Sequence, residues 1–497
     1  MNVEKLPTGI PGFDNISHGG LAKGRSTLVA GTTGSAKTVF ASQFLAEGAR
    51  RGEAGVFVNL EETPEDIRRH TASFGWDIPA WEKDNLWAFV DASAHHGLSV
   101  EAGAYDLSAL LTRIEHAVKR VKAVRVAIDP LTALFMQLSD RAVVRSELYR
   151  IMLALRALDV TALFTVQMDQ DTYNLSRFGV EEFAVDSVIL LRNTLRSERR
   201  RRTVEILKFR GADHRRGELP FSVVSGSGIN VIPLLGGQLE QVLSDVRLSS
   251  GVEELDVMTG GGFLRGSIIL VSGATGTGKT LTVTSFLAAA ISQGERCLIF
   301  AFGEGYEQLL RNAAAWGQDL KGLEAEGRLK IVNDYPEAAT LEDHLITMQR
   351  LIDEFRPDRV AVDSLSALER VSDVHGFREF VVSLSSFIKG REITTMYTST
   401  TPGLSGGTSV TEAEVSTVAD TTLLLRYFEV RGEIRRCLAV LKMRGSAHDK
   451  DIREYSIDES GMQLGEPVRD VAGLLAGNPR SQGVAAAAPG GLDEKDE

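Results

Sequence analysis

The sequence predicts an α/β protein of two tandem P-loop domains, each a parallel sheet with helices on both faces. Three observations predict it. The chain repeats itself along almost its whole length. Each copy carries a glycine-rich loop between an apolar strand and a helix. Each copy also has a second apolar strand that ends in aspartate.

The repeat is read first, because it sets the domain count. Leu6-Pro-Thr-Gly-Ile-Pro-Gly-Phe-Asp14 recurs as Leu248-Ser-Ser-Gly-Val-Glu-Glu-Leu-Asp256, and Ser73-Phe-Gly-Trp-Asp77 recurs as Ala315-Trp-Gly-Gln-Asp319, each 242 residues on (14 to 256, 77 to 319). Further along, Ile128-Asp129 matches Val362-Asp363, and Lys208-Phe-Arg-Gly211 matches Lys442-Met-Arg-Gly445, 234 residues on. A repeat of this length is a whole domain rather than a solenoid unit.

The elements of each copy follow from its apolar runs. Ser26-Thr-Leu-Val-Ala30 and Ser267-Ile-Ile-Leu-Val271 are short strands that lead into the glycine-rich turns. Amphipathic helices follow, with Phe40, Phe44 and Leu45 in one and Val283, Phe286 and Leu287 in the other. Val124–Ile128 and Arg359–Val362 are further buried strands, and strands alternating with helices build a parallel sheet covered on both sides. The copies meet near 233–247. Beyond about residue 478 the Ala/Gly/Pro run and the closing Asp493-Glu-Lys-Asp-Glu497 read as a disordered tail.

Bulk properties narrow the function classes. Of 497 residues, 43% are hydrophobic and 25% charged, enough for large soluble cores. No apolar run approaches the roughly 18 to 20 residues that span a bilayer. Cys297 and Cys437 are isolated thiols, neither a disulfide framework nor a zinc site, and read as residents of a reducing cytoplasm. The net charge of −12 argues against a life on nucleic acid, although Arg199-Arg200-Arg201-Arg202 is a local basic patch.

The chemistry is concentrated in the two loops. Gly273-Ala-Thr-Gly-Thr-Gly-Lys279-Thr280 is a full P-loop pattern. Its backbone N–H groups close around phosphates, the helix dipole assists, Lys279 reaches the β/γ-phosphates and the Thr280 hydroxyl ligates Mg²⁺. Gly31-Thr-Thr-Gly-Ser-Ala36-Lys37-Thr38 is the same loop with Ala36 in place of glycine, which is expected to keep an ordinary negative φ. Asp129 and Asp363 are expected to be the acidic partners of Thr38 and Thr280 at the metal. Glu61 and Glu62 follow the strand Gly55–Leu60 and can polarise water at a γ-phosphate; the second copy reads Gly303-Glu304, without the leading carboxylate.

Together these residues resemble the KaiC family of circadian-clock ATPases. The likeness is carried by both P-loops, Glu61-Glu62-Thr-Pro, Asp129, Asp363, Lys208-Phe-Arg210 and Lys442-Met-Arg444, and runs from about residue 6 to 478. It implies RecA-like domains at 1–232 and 248–465, a linker at 233–247 and a C-terminal loop and tail at 466–497. It also implies a double-ring homohexamer with ATP and Mg²⁺ at subunit interfaces. The N-terminal ring would hydrolyse ATP and the C-terminal ring would phosphorylate its own Ser/Thr residues. By this resemblance Thr33, Gly34, Ser35, Ala36, Lys37, Thr38 and Ser73 contact the first ATP, and Thr275, Gly276, Thr277, Gly278, Lys279, Thr280 and Leu281 the second. Lys208, Phe209, Arg210 and His214 would be lent to a neighbour's ATP, and likewise Trp316, Arg436, Lys442, Met443, Arg444, Ser446, His448 and Lys450. Ser416 and Thr417 resemble the phosphoacceptor pair, and Thr411 an upstream acceptor. Glu304 and Arg370 join the catalytic set, Arg370 as a charge stabiliser.

Gly303 stands where the family carries the glutamate that binds Mg²⁺ and takes the acceptor's proton. That departure keeps open a second reading, a nucleotide-gated scaffold with little phosphotransfer. A DNA motor on the same fold is disfavoured by the acidic balance. The short C-terminal tail argues against a KaiA-type partner and leaves room for a KaiB-type partner on the N-terminal ring.

Overall fold

The computed structural model describes residues 3–93, 107–135, 141–168, 184–196, 199–232, 244–401, 410–430 and 432–469, with two short strands at 471–472 and 480–481. The expected linker before residue 244 and the tail beyond 481 lie outside the described residues. The chain divides into two compact units, Met1–Leu234 and Leu235–Glu497.

In the first unit a strap pairs β1 (Lys5–Leu6) with β2 (Leu21–Ala22). The main sheet follows: β3 (Ser26–Gly31), β4 (Gly55–Asn59), β5 (Trp87–Asp91), β6 (Arg125–Asp129), β7 (Thr161–Gln167), β8 (Ser187–Arg196), β9 (Arg199–Phe209), β10 (Leu219–Val224) and β11 (Gly228–Val231). Their order is β11-β10-β9-β8-β3-β7-β6-β4-β5. From β5 to β8 the pairings are parallel; β9, β10 and β11 extend the sheet antiparallel, which the alternation of strands and helices did not predict.

The central strands read as continuous apolar runs because both faces are covered. Along β3, Leu28 and Ala30 face one core with the helix Leu107–Val121, while Val29 faces the other with Phe40 and Phe44 of the helix Lys37–Arg50. Period-two alternation thus feeds two cores from one strand.

The second unit repeats the plan. Its strap pairs β12 (Arg247–Leu248) with β13 (Phe263–Leu264). Its sheet contains β14 (Ile268–Gly273), β15 (Cys297–Ala301), β16 (Leu329–Asn333), β17 (Arg359–Asp363), β18 (Thr394–Thr400), β19 (Thr421–Val430), β20 (Glu433–Met443), β21 (Arg453–Asp458) and β22 (Gly461–Pro467). The order is β16-β15-β17-β18-β14-β19-β20-β21-β22, so the P-loop strand β14 is again central. Among the described residues no helix is long and apolar enough to cross a membrane.

One buried cation fastens each unit. Arg125, at the start of β6, is fully buried; it donates to Glu53 Oε2 at 2.6 Å and 2.9 Å and, through Nη1, to the carbonyls of Pro7 at 2.7 Å and Phe44 at 2.8 Å. Arg359, at the start of β17, donates to Glu295 Oε2 at 2.6 Å and to the carbonyls of Ser249 at 2.7 Å and Phe286 at 3.2 Å. Each guanidinium also lies 4.7 Å from a ring centroid, of Phe44 or Phe286. A single side chain therefore ties strap, P-loop helix and sheet together.

Breaking a buried pair by removing one partner typically costs about 3–5 kcal/mol. Arg359→Ala should accordingly move unfolding of the second domain to clearly lower denaturant, with the transition of the first domain in place. A midpoint unchanged from the parent would show that the pair is energetically idle.

Candidate functional site

Each P-loop leaves the C-terminal end of the central strand and enters a helix, so backbone N–H groups and the positive end of the helix dipole converge on one place. Lys37 Nζ donates to the carbonyls of Gly31 at 2.9 Å and Thr32 at 3.0 Å, and Lys279 Nζ to Gly273 at 3.0 Å and Ala274 at 2.9 Å. Burial lowers the pKa of both ammonium groups, opposed by Asp129 and Glu61 in the first site and by Asp363 and Glu304 in the second. Thr33 accepts from Gln167 at 3.1 Å, whereas Ser35 and Thr277 are buried and support the loops from beneath. Leu281 is fully buried in the core, so only its backbone is available to a nucleotide.

Ala36 corrects an expectation. It sits at φ 69°, ψ 32°, left-handed like Gly278 at φ 94°, rather than at negative φ. An L-residue there is strained by roughly 1–2 kcal/mol. Space is the second requirement. A Cβ built on Gly278 would lie 2.9 Å from Ile457 Cδ1 and 3.6 Å from Met462 Cε. The matching positions of the first domain, cross-strand partners in the same way, are Val223 and Ile229, and valine has no Cδ1. A smaller hairpin residue accompanies the larger loop residue.

Beside each loop a hydroxyl meets a carboxylate. Thr280 donates to Asp363 Oδ2 at 2.7 Å, and Thr398 donates to Oδ1 of the same group. In the first domain Thr165 and Thr38 both bond Asp129, whose pKa is raised by burial against these bonds.

The glutamates lie past the ends of β4 and β15. Asn59 Nδ2 holds the Glu62 carbonyl at 2.9 Å, and Asn333 Nδ2 holds the Glu304 carbonyl at 2.5 Å from the neighbouring strand. Glu62 Oε2 lies 3.4 Å from His70 Nδ1, and Glu304 Oε2 accepts from Asn312 at 2.9 Å. Glu61 is raised by desolvation, then by Asp129 and Glu62, against Lys37. Glu304 is raised by desolvation and then by Asp363, against Asn312 and Lys279. Glu304 therefore feels the charges of Asp363 and Lys279, while its carboxylate is held by Asn312. Gly303 is exposed, and a Cβ there meets nothing closer than 4.0 Å. Arg370 ends the short helix Leu365–Glu369 as an exposed residue.

The remaining candidates divide between the two ends of the sheet. Arg436 lies over the ring of Tyr427, 5.5 Å from its centroid, and Tyr427 Oη donates to the Thr275 carbonyl at 3.4 Å. Trp316 is half-buried against the core that contains Leu281. Arg436, through Tyr427, therefore stands beside its own P-loop. Ser73 caps the helix Pro64–Ala72, and its carbonyl accepts from Gly226 at 2.8 Å.

At the opposite end, Lys442 pairs with Thr422 at the start of β19, and its Nζ donates to the Ser416 carbonyl at 2.7 Å. Arg444 Nη2 donates to the Thr417 carbonyl at 3.0 Å. Met443 is buried there, Ser446 bonds Arg247, His448 is half-buried and Lys450 exposed. In the first domain Lys208 Nζ donates to the Val185 carbonyl at 2.8 Å, Phe209 is buried with its ring 6.3 Å from that of His214, and Arg210 is exposed.

The acceptor segment lies on the helix Val410–Val418, which leads into β19. Asp420 N bonds the Ile268 carbonyl, at the start of β14. From Ile268 to Gly273 the strand rises about 17 Å at ~3.3 Å per residue. Ser416 and Thr417 therefore sit at one end of the sheet and their own Lys279 at the other. Thr417 is exposed and Ser416 partly so. Thr411 is fully buried with its hydroxyl donated to Glu369, so in this conformation it is not presented as an acceptor.

The sequence profile of the family described as "ATPase: KaiC" matches residues 6–236 and 248–469. The chain belongs to the KaiC family of ATPases. It is 58% identical to the circadian clock protein KaiC3 of Synechocystis sp. over 96% of this chain and 95% of that protein. It is 49% identical to the circadian clock oscillator protein KaiC of Thermostichus vulcanus over 96% and 92%. Against KaiC 1 of Synechocystis sp. the identity is 47% over 96% and 92%. As a KaiC-family member the chain is an ATP-binding ATPase with two RecA-like domains. Sequence reasoning did not single out Asn193, Tyr427 or the supporting amides Asn59, Asn333 and Asn312; pairing the two β-hairpins by the 234-residue repeat, as for Lys208 and Lys442, would have found the first two.

Two outcomes are expected. Gly278→Ala should be tolerated better when combined with Ile457→Val than alone, by about 1–3 kcal/mol of relieved overpacking in a double-mutant unfolding cycle; strict additivity would remove the steric account. The raised pKa of Glu61 means it takes up a proton at higher pH than an ordinary glutamate. Hydrolysis by a Lys279→Ala chain should therefore fall as pH drops while still above the ordinary glutamate range, about 4.3. An acid limb retained in Glu61→Gln would assign the limb to another group.

Proposed function

We propose that the chain acts as a cytoplasmic timing or signalling switch. It would assemble as a homohexamer with Mg-ATP at subunit interfaces, hydrolyse ATP mainly in the N-terminal ring, and phosphorylate Ser416 and Thr417 in the C-terminal ring. The observation that carries this reading is the separation of Ser416 and Thr417 from their own P-loop. Reacting atoms must approach to about 3–3.5 Å, and a strand's length of sheet stands between. Phosphoryl donor and acceptor then belong to different subunits. The same separation gives Lys442 and Arg444, and Lys208 and Arg210, a task at a neighbour's nucleotide.

The donor set suits Mg²⁺. Thr280 Oγ1 and Asp363 Oδ2 are hard oxygens in mutual contact, matched by Thr38 and Asp129. Mg²⁺ takes one or two protein oxygens and completes its shell with phosphates and water. When bound it would neutralise phosphate charge; the protein residues orient and move the proton.

In the C-terminal ring the acceptor oxygen would bond to the γ-phosphorus as the bond to the β–γ bridging oxygen breaks. ADP would leave, and the hydroxyl proton would pass to a carboxylate. Glu304 feels the charges of Lys279 and Asp363, which supports it as that base in place of the glutamate missing at Gly303. In the N-terminal ring Glu61 and Glu62 would orient water instead. The names of the relatives favour timing, and a KaiB-type partner on the N-terminal ring fits the same reading. Gly303 favours the second reading, a nucleotide-gated scaffold with weak phosphotransfer.

Mixing distinguishes them. Lys279→Ala chains and chains carrying Ser416→Ala with Thr417→Ala are each expected to stay unlabelled alone under Mg-ATP. Mixed in one ring, phosphopeptides should appear on the Lys279→Ala chains, and faster when the donor also carries Gly303→Glu. No label in the mixture or in the parent protein would select the scaffold reading, and label in the parent alone would place transfer within one subunit.

A further inference from the structure

The run Arg199-Arg200-Arg201-Arg202 finds no task in the reading above, and in an acidic chain it is the feature most open to misreading as a nucleic-acid patch. On β9, period-two alternation puts Arg200 and Arg202 on one face. Val204 and Ile206 continue that face into the core that holds Phe40 and Phe44 of the P-loop helix. Arg202 Nε donates to the Gly34 carbonyl at 3.2 Å, inside the first P-loop. Its cross-strand partner Asn193 donates from Nδ2 to the carbonyls of Thr33 at 3.4 Å and Gly34 at 3.3 Å, and from its backbone N to Thr32 Oγ1 at 3.2 Å. Arg200 Nη1 in turn holds the Asn193 carbonyl at 3.1 Å.

The second domain builds the same device from different chemistry. Tyr427 and Arg436 are cross-strand partners at the matching positions, joined by ring stacking, with the Tyr427 hydroxyl on the Thr275 carbonyl. In both hairpins one partner holds the loop and an arginine stands beside it. Carbonyls turned outward to these donors leave the loop's N–H groups to face the phosphates.

We propose that Arg202 binds the polyphosphate of the first ATP within its own subunit, with Asn193 and Arg200 as its positioning residues. Nε is engaged by the loop, and among the described residues Nη1 and Nη2 have no protein partner. Those are the nitrogens a guanidinium uses to bind a phosphate in a fork. The proposal rests on the first P-loop being a nucleotide site, and the experiment separates the two claims.

The full chain carrying Lys279→Ala, so that the first site reports, is titrated with ADP and with AMP by calorimetry in Mg²⁺. Adding Lys37→Ala should abolish ADP binding; if it does not, the nucleotide reading of the first loop fails. Given that loss, Arg202→Ala should weaken ADP about tenfold or more and AMP less than twofold, and Arg202→Lys should recover part of the loss. Equal weakening of ADP and AMP would reduce Arg202 to a brace on the loop and overturn the proposal. So would unchanged ADP affinity, whether or not Arg202→Ala also weakened retention on single-stranded DNA. Arg202→Gln, which keeps length and a donor without charge, guards against a folding artefact and should bind ADP as weakly as Arg202→Ala.

Discussion

A parallel sheet has a direction, and that direction organises everything described here. With β14 running parallel to both β18 and β19, all three strands end beside one another and begin beside one another. With β15 and β17 parallel to them, the P-loop after β14, Asp363 at the end of β17 and Glu304 after β15 gather at one edge. The acceptor helix, which leads into the start of β19, gathers at the other, and with it the returning end of β20 that bears Lys442. The same division appears in the first unit around β3, β7 and β8. Neither group can cross to the other without dismantling the ladder between them.

The arginines Arg125 and Arg359 protect this arrangement from the strand-start side. A fully buried charge is costly, and here it is compensated by a carboxylate, two carbonyls and an aromatic face. One carbonyl belongs to the strap and the other to the P-loop helix. The cation thus fixes where that helix stands on the sheet, and through it where Lys37 or Lys279 begins.

Much of this was legible in the sequence. The P-loops, the strand-ending aspartates and the two-domain plan each rest on patterns local enough to read, and duplication doubled the signal. What was not legible depends on contacts distant along the chain. Ala36 adopts positive φ where the matching hairpin residue, nearly two hundred positions away, is Val223 rather than the isoleucine of the second domain. Thr411 is withdrawn into the core by Glu369. Arg436 and Lys442 lie six residues apart on one strand, yet that strand is long enough to carry them to opposite edges of the sheet. Only the register of the pairing tells which edge each reaches. The antiparallel extension of each sheet, β9–β11 and β20–β22, was not predicted either, since pairing direction depends on hairpin contacts that strand–helix alternation does not encode.

The hydrogen bonds from Lys442 and Arg444 to the carbonyls of Ser416 and Thr417 couple two tasks through proximity. A phosphoryl group arriving on either hydroxyl brings close to two negative charges at neutral pH into the neighbourhood of those same cations. In the proposed ring, a cation drawn to its own subunit's phosphate would be drawn away from the neighbouring subunit's nucleotide. Each transfer would thereby weaken the electrostatic conditions that favoured it. The ring would carry a chemical memory of how far it has been modified, written in charge and read by the subunit next door.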